Sequence, residues 1–592
     1  VSVLREDQIN SAFANNIEGL QALVPSVSFR KGNTTRNSAI TVRGVGTISF
    51  SVAAEPSVST VVDGVVLGRS GQAFMDLYDL QRIEVLRGPQ GTLFGKNASA
   101  GVVNITTKRP QDEFGGMLEA TLFQGNEYRL RGSMHGALNE DASGSITVMK
   151  SGFDGYIENV FNNETVNGYD KEGVRAMLDY RISDDTEMLF IFENMKSNDD
   201  CCADLEWTPS GRHQSEASPD STGVGDLDLS QRQVDHDFET RTIDEHTAFS
   251  MQFDTMLGDH QFTSITAYRD WSNTEFREGD FTSTAGDAPL PVFGVPFQLH
   301  DIGPQDWNQV SQEFRIASPL GNALEYQGGV FWWQQKSNRS FTREASCQNN
   351  NGQFPAAISA YLSGTLGVEN PSEEQVNQFI EDESLSCLSN DIVSATAFME
   401  TEFLNYAVFA DGKYHFNDDL RLLFGLRYTK DEVSFSHNRR SNDEYARTGV
   451  GVRGFDTDFD GETDETDLSG KLGVQYDIND NSMTYFTFSQ GYKGPAFNVF
   501  YNMAPNDTLP IGPETSDAYE LGYKYASRDF VFNAAVFRTE IDGFQANNPE
   551  LLDGVFITRL TNAGSIITEG VELDFIWQVN DQFSLFGGLS SV

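Results

Sequence analysis

From Gly115 onward the chain repeats one pattern, segments of about ten residues that alternate apolar and polar with period two. Successive side chains of an extended strand point to opposite faces, so each segment has one dry face and one wet face. Tyr128, Leu130, Gly132, Met134, Gly136 and Leu138 oppose Arg129, Arg131, Ser133, His135 and Ala137. Leu420, Leu422, Phe424, Leu426 and Tyr428 oppose Arg421, Leu423, Gly425, Arg427 and Thr429. Tyr519, Leu521, Tyr523 and Tyr525 oppose Glu520, Gly522 and Lys524, and Val571, Leu573, Phe575, Trp577 and Val579 oppose Glu572, Asp574, Ile576 and Gln578. Counting such segments yields about 17 strands between Gly115 and Val592.

A soluble sandwich alternates too, so the composition of the two faces decides. The polar face carries Arg, Glu, Asp and Lys beside Gly, as a wet lumen allows, and the other face is rich in the aromatic residues that suit membrane interfaces. Short connections such as 417–419 and 479–481 alternate with long ones at 197–244, 272–307 and 337–402, as in an outer-membrane barrel. No apolar run reaches the ~18 residues of a spanning helix. With 41 Lys+Arg against 87 Asp+Glu and a net charge of -46, the chain is no nucleic-acid binder, because phosphate neutralisation needs an excess of cations. Much of the negative charge falls at 197–244, 368–391 and 441–467, an acidic outer face that suits divalent cations and counts against an anionic ligand. An odd strand count ending mid-pattern leaves unpaired edges, so the barrel reads as incomplete; a 22-stranded plugged barrel would need about five more strands.

Residues 1–112 read differently, as a compact α+β domain with a short helix around Asn16 to Leu23, stopped by Pro25, and brief strands separated by Gly; residues 113–592 are the barrel. Three stretches carry a family resemblance: Thr41-Val42-Arg43-Gly44-Val45-Gly46-Thr47, Val61-Val62-Asp63-Gly64-Val65, and the run from Asp79 through Arg87-Gly88-Pro89-Gln90-Gly91-Thr92-Leu93-Phe94-Gly95 to Asn104-Ile105-Thr106-Thr107-Lys108-Arg109-Pro110. Together they resemble the plug domain of TonB-dependent outer-membrane receptors. Ser489-Gln490-Gly491-Tyr492-Lys493, Tyr519-Glu520-Leu521-Gly522-Tyr523-Lys524 and Glu569-Gly570-Val571-Glu572-Leu573 are similar to that family's barrel.

The resemblance implies a transmembrane antiparallel barrel of 22 strands in the parent, filled by a four-stranded plug, in the outer membrane of a Gram-negative bacterium. It implies a monomer that is not an enzyme and needs no cofactor, energised by the TonB–ExbB–ExbD complex. Its role would be import of a scarce nutrient, a ferric siderophore first, with oligosaccharide, cobalamin or another metal complex as alternatives and a passive porin-like channel behind them. The TonB-pairing segment is expected upstream of Val1, and the last strands beyond Val592.

In the family the arginines matching Arg43 and Arg87 pair with glutamates matching Glu520 and Glu572, both already on the wet face by parity. Plug loops at 30–37, 46–56 and 68–75 offer Arg36, Phe50, Arg69, Gln72 and Phe74 to a ligand, and Phe276, Phe281, Phe293 and Phe297 an apolar rim. Asp456, Asp458, Asp460, Glu462, Asp464 and Asp467 follow the spacing of a calcium loop, with Gly461 at its bend and a short Asp in place of the terminal Glu. Cys347 and Cys387 share one long loop and are the preferred disulfide in an oxidising location, with Cys201 and Cys202 adjacent. The Gly91 to Asn97 run is one residue short of a phosphate loop and has Asn97 where Ser or Thr would hold magnesium, so its glycines read as turns. No HExxH occurs, and the stretch at Ser70 misses the nucleophile elbow.

Overall fold

The structure is a computed structural model that describes residues 2–12, 16–32, 34–73, 78–201, 203, 232–279, 298–346, 359, 362, 368, 370–382, 392–441, 456–552 and 555–592. The period-two segments form one antiparallel sheet. Seventeen strands, from Gly115–Leu122 to Phe583–Ser591, curl into a barrel. Sixteen antiparallel ladders join them in chain order. With an odd count, the two strands that meet at the seam run in the same direction. Both are exposed along their length, Leu118 to 88% and Leu589 to 65%.

Parity assigns the faces. Leu130, Met134, Leu138, Leu426, Tyr428, Tyr519, Leu521, Val571 and Trp577 are exposed on the outside, while Arg427, Thr429 and Glu572 on the opposite parity are buried against the lumen contents. Exposed apolar and aromatic side chains in such numbers are unfavourable in water and suit a lipid belt.

One side of the wall is far taller than the other. Ala142–Phe153 has 12 residues, whereas Leu324–Ser346 has 23 and Ile392–His415 has 24. At about 3.4 Å per residue the longest runs about 80 Å, well beyond the ~9–11 residues that cross a bilayer. The expected loops at 272–307 and 337–402 therefore shrink to 279–297 and 347–391, because the strands continue above the membrane. There both faces carry polar residues, and the hydropathy contrast that marks a strand disappears. On the opposite rim the turns are tight and share a local device. The side chains of Asn139, Asn417, Asn479 and Asn580 each accept a hydrogen bond from the backbone amide two residues on.

Inside the wall lies the N-terminal domain. Its sheet has five strands, in the order Ser2–Arg5, Leu80–Arg87, Gly101–Thr107, Val58–Val62 and Val65–Leu67, one more than expected, because Ser2–Arg5 pairs antiparallel along the edge of Leu80–Arg87. The helix expected near Asn16 is a 3-10 turn, Ile17–Ala22, capped by the Asn16 side chain, which accepts from the Gly19 amide at 3.0 Å. Ile17, Leu20, Ile40, Val42, Ile83, Val85 and Val103 form its core. Gly91 opens a short helix, Gly91–Phe94, and Gly95 ends it at φ +79, a backbone conformation that disfavours any side chain.

Candidate functional site

The lumen is where plug and wall meet through charge, at three levels. The first joins the plug to the strands Ser482–Lys493, Glu514–Ala526 and Ile566–Asn580. Arg43 sits at φ +52 in the turn after Ala39–Val42, held by its amide donating to the Ser26 carbonyl at 2.8 Å. Its guanidinium donates to both Glu572 oxygens, at 3.1 and 2.7 Å, and to Glu520 at 2.7 Å. Arg87, at the end of Leu80–Arg87, reaches Glu572 at 3.1 Å and also bonds the Ser2 hydroxyl. Ser26 donates to Glu572, the Tyr485 hydroxyl to Glu520 at 2.6 Å, and the Phe537 ring lies 3.7 Å from the Arg43 guanidinium carbon. Gly522 has a structural reason here: the Tyr485 ring lies across it where a Cβ would sit, which lets the phenol reach Glu520. Burial disfavours the Arg43 charge, but Glu572 and Glu520 outweigh it and hold the guanidinium above its ordinary range.

The second level lies on other strands. Lys96 bonds Glu55 of the plug at 3.0 Å and Asp431 of the wall at 2.8 Å, and its ammonium lies 4.5 Å from the Trp333 ring. Asn97 donates to Glu55 at 2.9 Å and Asn405 to Asp431 at 2.8 Å. Asp431 is fully buried. Burial would lower the Lys96 pKa, yet Asp431 and Glu55 raise it. Nearby, Lys493 donates to Thr47 at 2.9 Å and Ser99 to Glu514 at 2.7 Å.

The third level, toward the tall rim, is rich in arginine. Arg36 donates to Glu275 at 3.1 and 3.3 Å, and Arg339 shares the same carboxylate at 2.5 Å. Arg343 grips Asp301 through two bonds of 2.6 and 2.7 Å, and Arg277 approaches it at 3.9 Å. Arg69 donates to the Ser51 and Ala54 carbonyls, and among the described residues no carboxylate comes within ion-pair distance of it. Burial, then the neighbouring Arg36, pushes Arg69 down to about 9, which still leaves it charged at neutral pH. Arg439 donates to the Tyr501 carbonyl at 3.2 Å. Among the described residues, Arg36, Arg339, Arg343 and Arg277 thus lie within 4 Å of the carboxylates Glu275 and Asp301, with the rings of Phe341 and Tyr501 beside them.

The sequence-derived residues fall as follows. Arg43, Arg87, Glu520 and Glu572 come together. Arg36, Arg69 and Gln72 are buried, Arg36 and Arg69 within the arginine cluster, and Phe50 is exposed. Phe74, Cys347 and Cys387 lie outside the described residues, as do Phe281, Phe293 and Phe297; Cys201 is disulfide-bonded. The calcium-loop reading is corrected. Residues from 457 onward belong to the strand Thr457–Asn479, where Asp458, Asp460, Glu462 and Asp464 point outward and Asp467 points to the other face. Side chains on opposite faces of a strand cannot wrap one ion, so these carboxylates do not converge. Sequence reasoning missed Lys96, Glu55, Asp431, Glu275, Arg339 and Arg343. Parity was the available signal for Asp431, which lies four residues beyond Arg427 on the same face.

On the side of the strands Tyr169–Ser183 to Leu420–Ser441, a cavity of about 460 Å³ separates plug from wall, lined by Val61, Asp63, Phe94, Ile265, Gln252 and Arg427.

Comparison with known proteins agrees with this architecture. Residues 179–591 match the TonB dependent receptor-like beta-barrel, and residues 1–102 match the TonB-dependent receptor plug domain. The chain belongs to the TonB-dependent receptors, transporters of the Gram-negative outer membrane and not enzymes. It is 26% identical over 590 residues to the pesticin receptor of Yersinia enterocolitica, covering 98% of this chain and 72% of the relative. It is 21% identical over 614 residues to the catecholate siderophore receptor Fiu of Escherichia coli, covering 99% and 74%. In fold it is similar to the ferric yersiniabactin uptake receptor FyuA of Yersinia pestis, with a TM-score of 0.75 at 21% identity over 100% of this chain and 79% of that one.

Proposed function

We propose that this receptor imports a ferric siderophore, an anionic iron chelate, with energy from TonB–ExbB–ExbD. The observation that carries the reading is the arginine cluster under the tall rim, where Arg36 and Arg339 share the single carboxylate Glu275 and buried Arg69 meets no carboxylate within ion-pair distance among the described residues, in a chain whose net charge is -46. A buried excess of positive charge is costly, and a bound anion relieves it. Guanidiniums suit the planar or paired oxygens of carboxylate, catecholate and hydroxamate ligands, and Phe341 and Tyr501 supply flat apolar surface beside them. The acidic outer face opposes approach of an anion but not its retention once inside. The catecholate siderophore receptor among the relatives points the same way.

In this reading the Arg43–Glu572 network holds the plug until force from TonB loosens it, and the cavity beside the plug is where a path opens. The test is uptake of radiolabelled ferric siderophores by cells carrying the receptor as their sole route, with and without an uncoupler. Energy-dependent accumulation of an iron chelate is expected. Uptake of cobalamin or oligosaccharide instead would overturn the ligand, and uptake indifferent to the uncoupler would overturn the energised mechanism.

A further inference from the structure

Asp237, Glu278 and His300 each offer a ligand atom, and these atoms all lie within 4.8 Å of one another. They come from three segments: Asp237 from the stretch before Arg241–Leu257, Glu278 from the end of His260–Glu278, and His300 from the start of Gln298–Ala317. Glu278 and His300 are direct partners across the two strands and so share a face. That face is the outer one. Glu275 and Asp301, on the opposite parity, bind Arg36 and Arg343 inside the lumen. Yet Glu278 is fully buried, because residues 235–240 cover it; the Phe238 amide donates to its carboxylate at 3.1 Å. The Phe238 ring stacks on the His300 imidazole, with centroids 4.2 Å apart and planes at 12°, which sets the orientation of the imidazole.

Two atoms at the centre lack what burial demands. Asp237 Oδ1 and His300 Nε2 are shielded from solvent and have no hydrogen-bond partner, though they lie 3.7 Å apart. That separation is too long for a hydrogen bond. It is close to the spacing of about 3.3–3.6 Å between ligands of a tetrahedral ion with metal–ligand bonds of about 2.0–2.2 Å. We propose that Asp237, Glu278 and His300 bind one divalent transition-metal cation of the zinc class, which clips residues 235–240 to the outside of the barrel wall. One imidazole nitrogen with two carboxylate oxygens suits that class better than calcium or magnesium, which take oxygen ligands. A fourth position is left for water. Because the cluster faces outward, the ion is a structural fastener and not cargo.

The test uses the receptor purified in detergent, stripped with a chelator and titrated with Zn²⁺. One equivalent is expected to bind to the unsubstituted protein and to be absent from the Asp237→Asn, His300→Gln double variant. Zinc is also expected to slow tryptic cleavage at Arg232 and Arg241, on either side of the clipped segment, in the unsubstituted protein alone. Phe238→Leu keeps all three ligands and is expected to retain the equivalent, while unchanged heat-modifiable migration on gels verifies a folded barrel in each variant. Equal zinc binding by the unsubstituted protein and the double variant, or protection independent of zinc, would overturn the proposal.

Discussion

The two best-defined charge clusters in the lumen differ in their balance. Around Arg43 and Arg87, two guanidiniums meet two glutamates, with Asp574 more distant at 3.9 Å from Arg87. Under the tall rim, among the described residues, Arg36 and Arg339 share Glu275, Arg343 holds Asp301, and Arg69 donates only to carbonyls. A balanced network satisfies itself and holds two bodies in register, and removing either sign leaves the other buried without a partner. A cluster richer in guanidinium than in carboxylate favours a bound anion. Under the proposed function the first arrangement serves as a latch and the second as a receptor, within one plug–wall interface.

The largest expected effect breaks the latch. Glu572→Ala leaves Arg43 and Arg87 facing each other in a buried site, a loss of about 3–5 kcal/mol at the plug–wall contact. Adding Glu520→Ala removes the remaining acceptor of Arg43. The plug should then be extracted at lower force or lower urea than in the unsubstituted receptor; an unchanged extraction profile would mean the network does not hold the plug.

Next in size is the receptor side. Arg69→Met removes a buried positive charge without orphaning a carboxylate, so plug stability should hold or rise. Affinity for an anionic ferric chelate should fall about 10–100-fold, the worth of one charged hydrogen-bonding partner at about 1.5–3 kcal/mol. Calorimetric titration of the receptor with a ferric chelate separates the two outcomes. If Arg69→Met weakens the plug and leaves the affinity intact, the contrast between the clusters is wrong.

Much of the latch is legible in the sequence, and for a physical reason. Glu520 and Glu572 lie within the bilayer's span, where one face must be apolar, so parity alone assigns them to the lumen. The arginine cluster was half legible: Arg36 and Arg69 stood in plug loops, but Glu275, Arg339 and Arg343 lie where strands rise above the membrane and both faces are polar. A net charge of -46 also concealed a local positive excess, because a sum over the chain has no position. The calcium-loop reading failed through a coincidence of periods. Ligand positions 1, 3, 5, 7 and 9 of such a loop have the spacing of one face of a strand, and the ladder to Leu420–Ser441 decided for the strand. Lys96 was hidden differently, in a glycine-containing run that read as turns, with its partners Glu55 and Asp431 far away in sequence.

A smaller effect probes how the latch is supported. Tyr485→Phe removes the phenol that donates to Glu520 and keeps the ring packed across Gly522. Glu520 retains Arg43 and is partly hydrated, so the loss should be about 1 kcal/mol. Plug extraction should shift slightly in the direction of Glu572→Ala; a shift as large as that variant's would make Tyr485 a principal member of the network.

The smallest expected effect lies on the other face of the same strands. Arg538 and Glu569 form an ion pair at 2.7 Å on the outside of the wall, one residue from Phe537 and three from Glu572, with side chains 51% and 64% exposed. Sequence neighbourhood and partner chemistry resemble those of the latch, and only burial differs. Hydration screens the exposed pair and its long side chains lose entropy on pairing, so Arg538→Ala should cost about 0–1 kcal/mol and leave plug extraction unchanged. A large loss would mean that charge pairing as such, regardless of burial, stabilises this interface, and the distinction between a latch and an ordinary surface pair would fall with it.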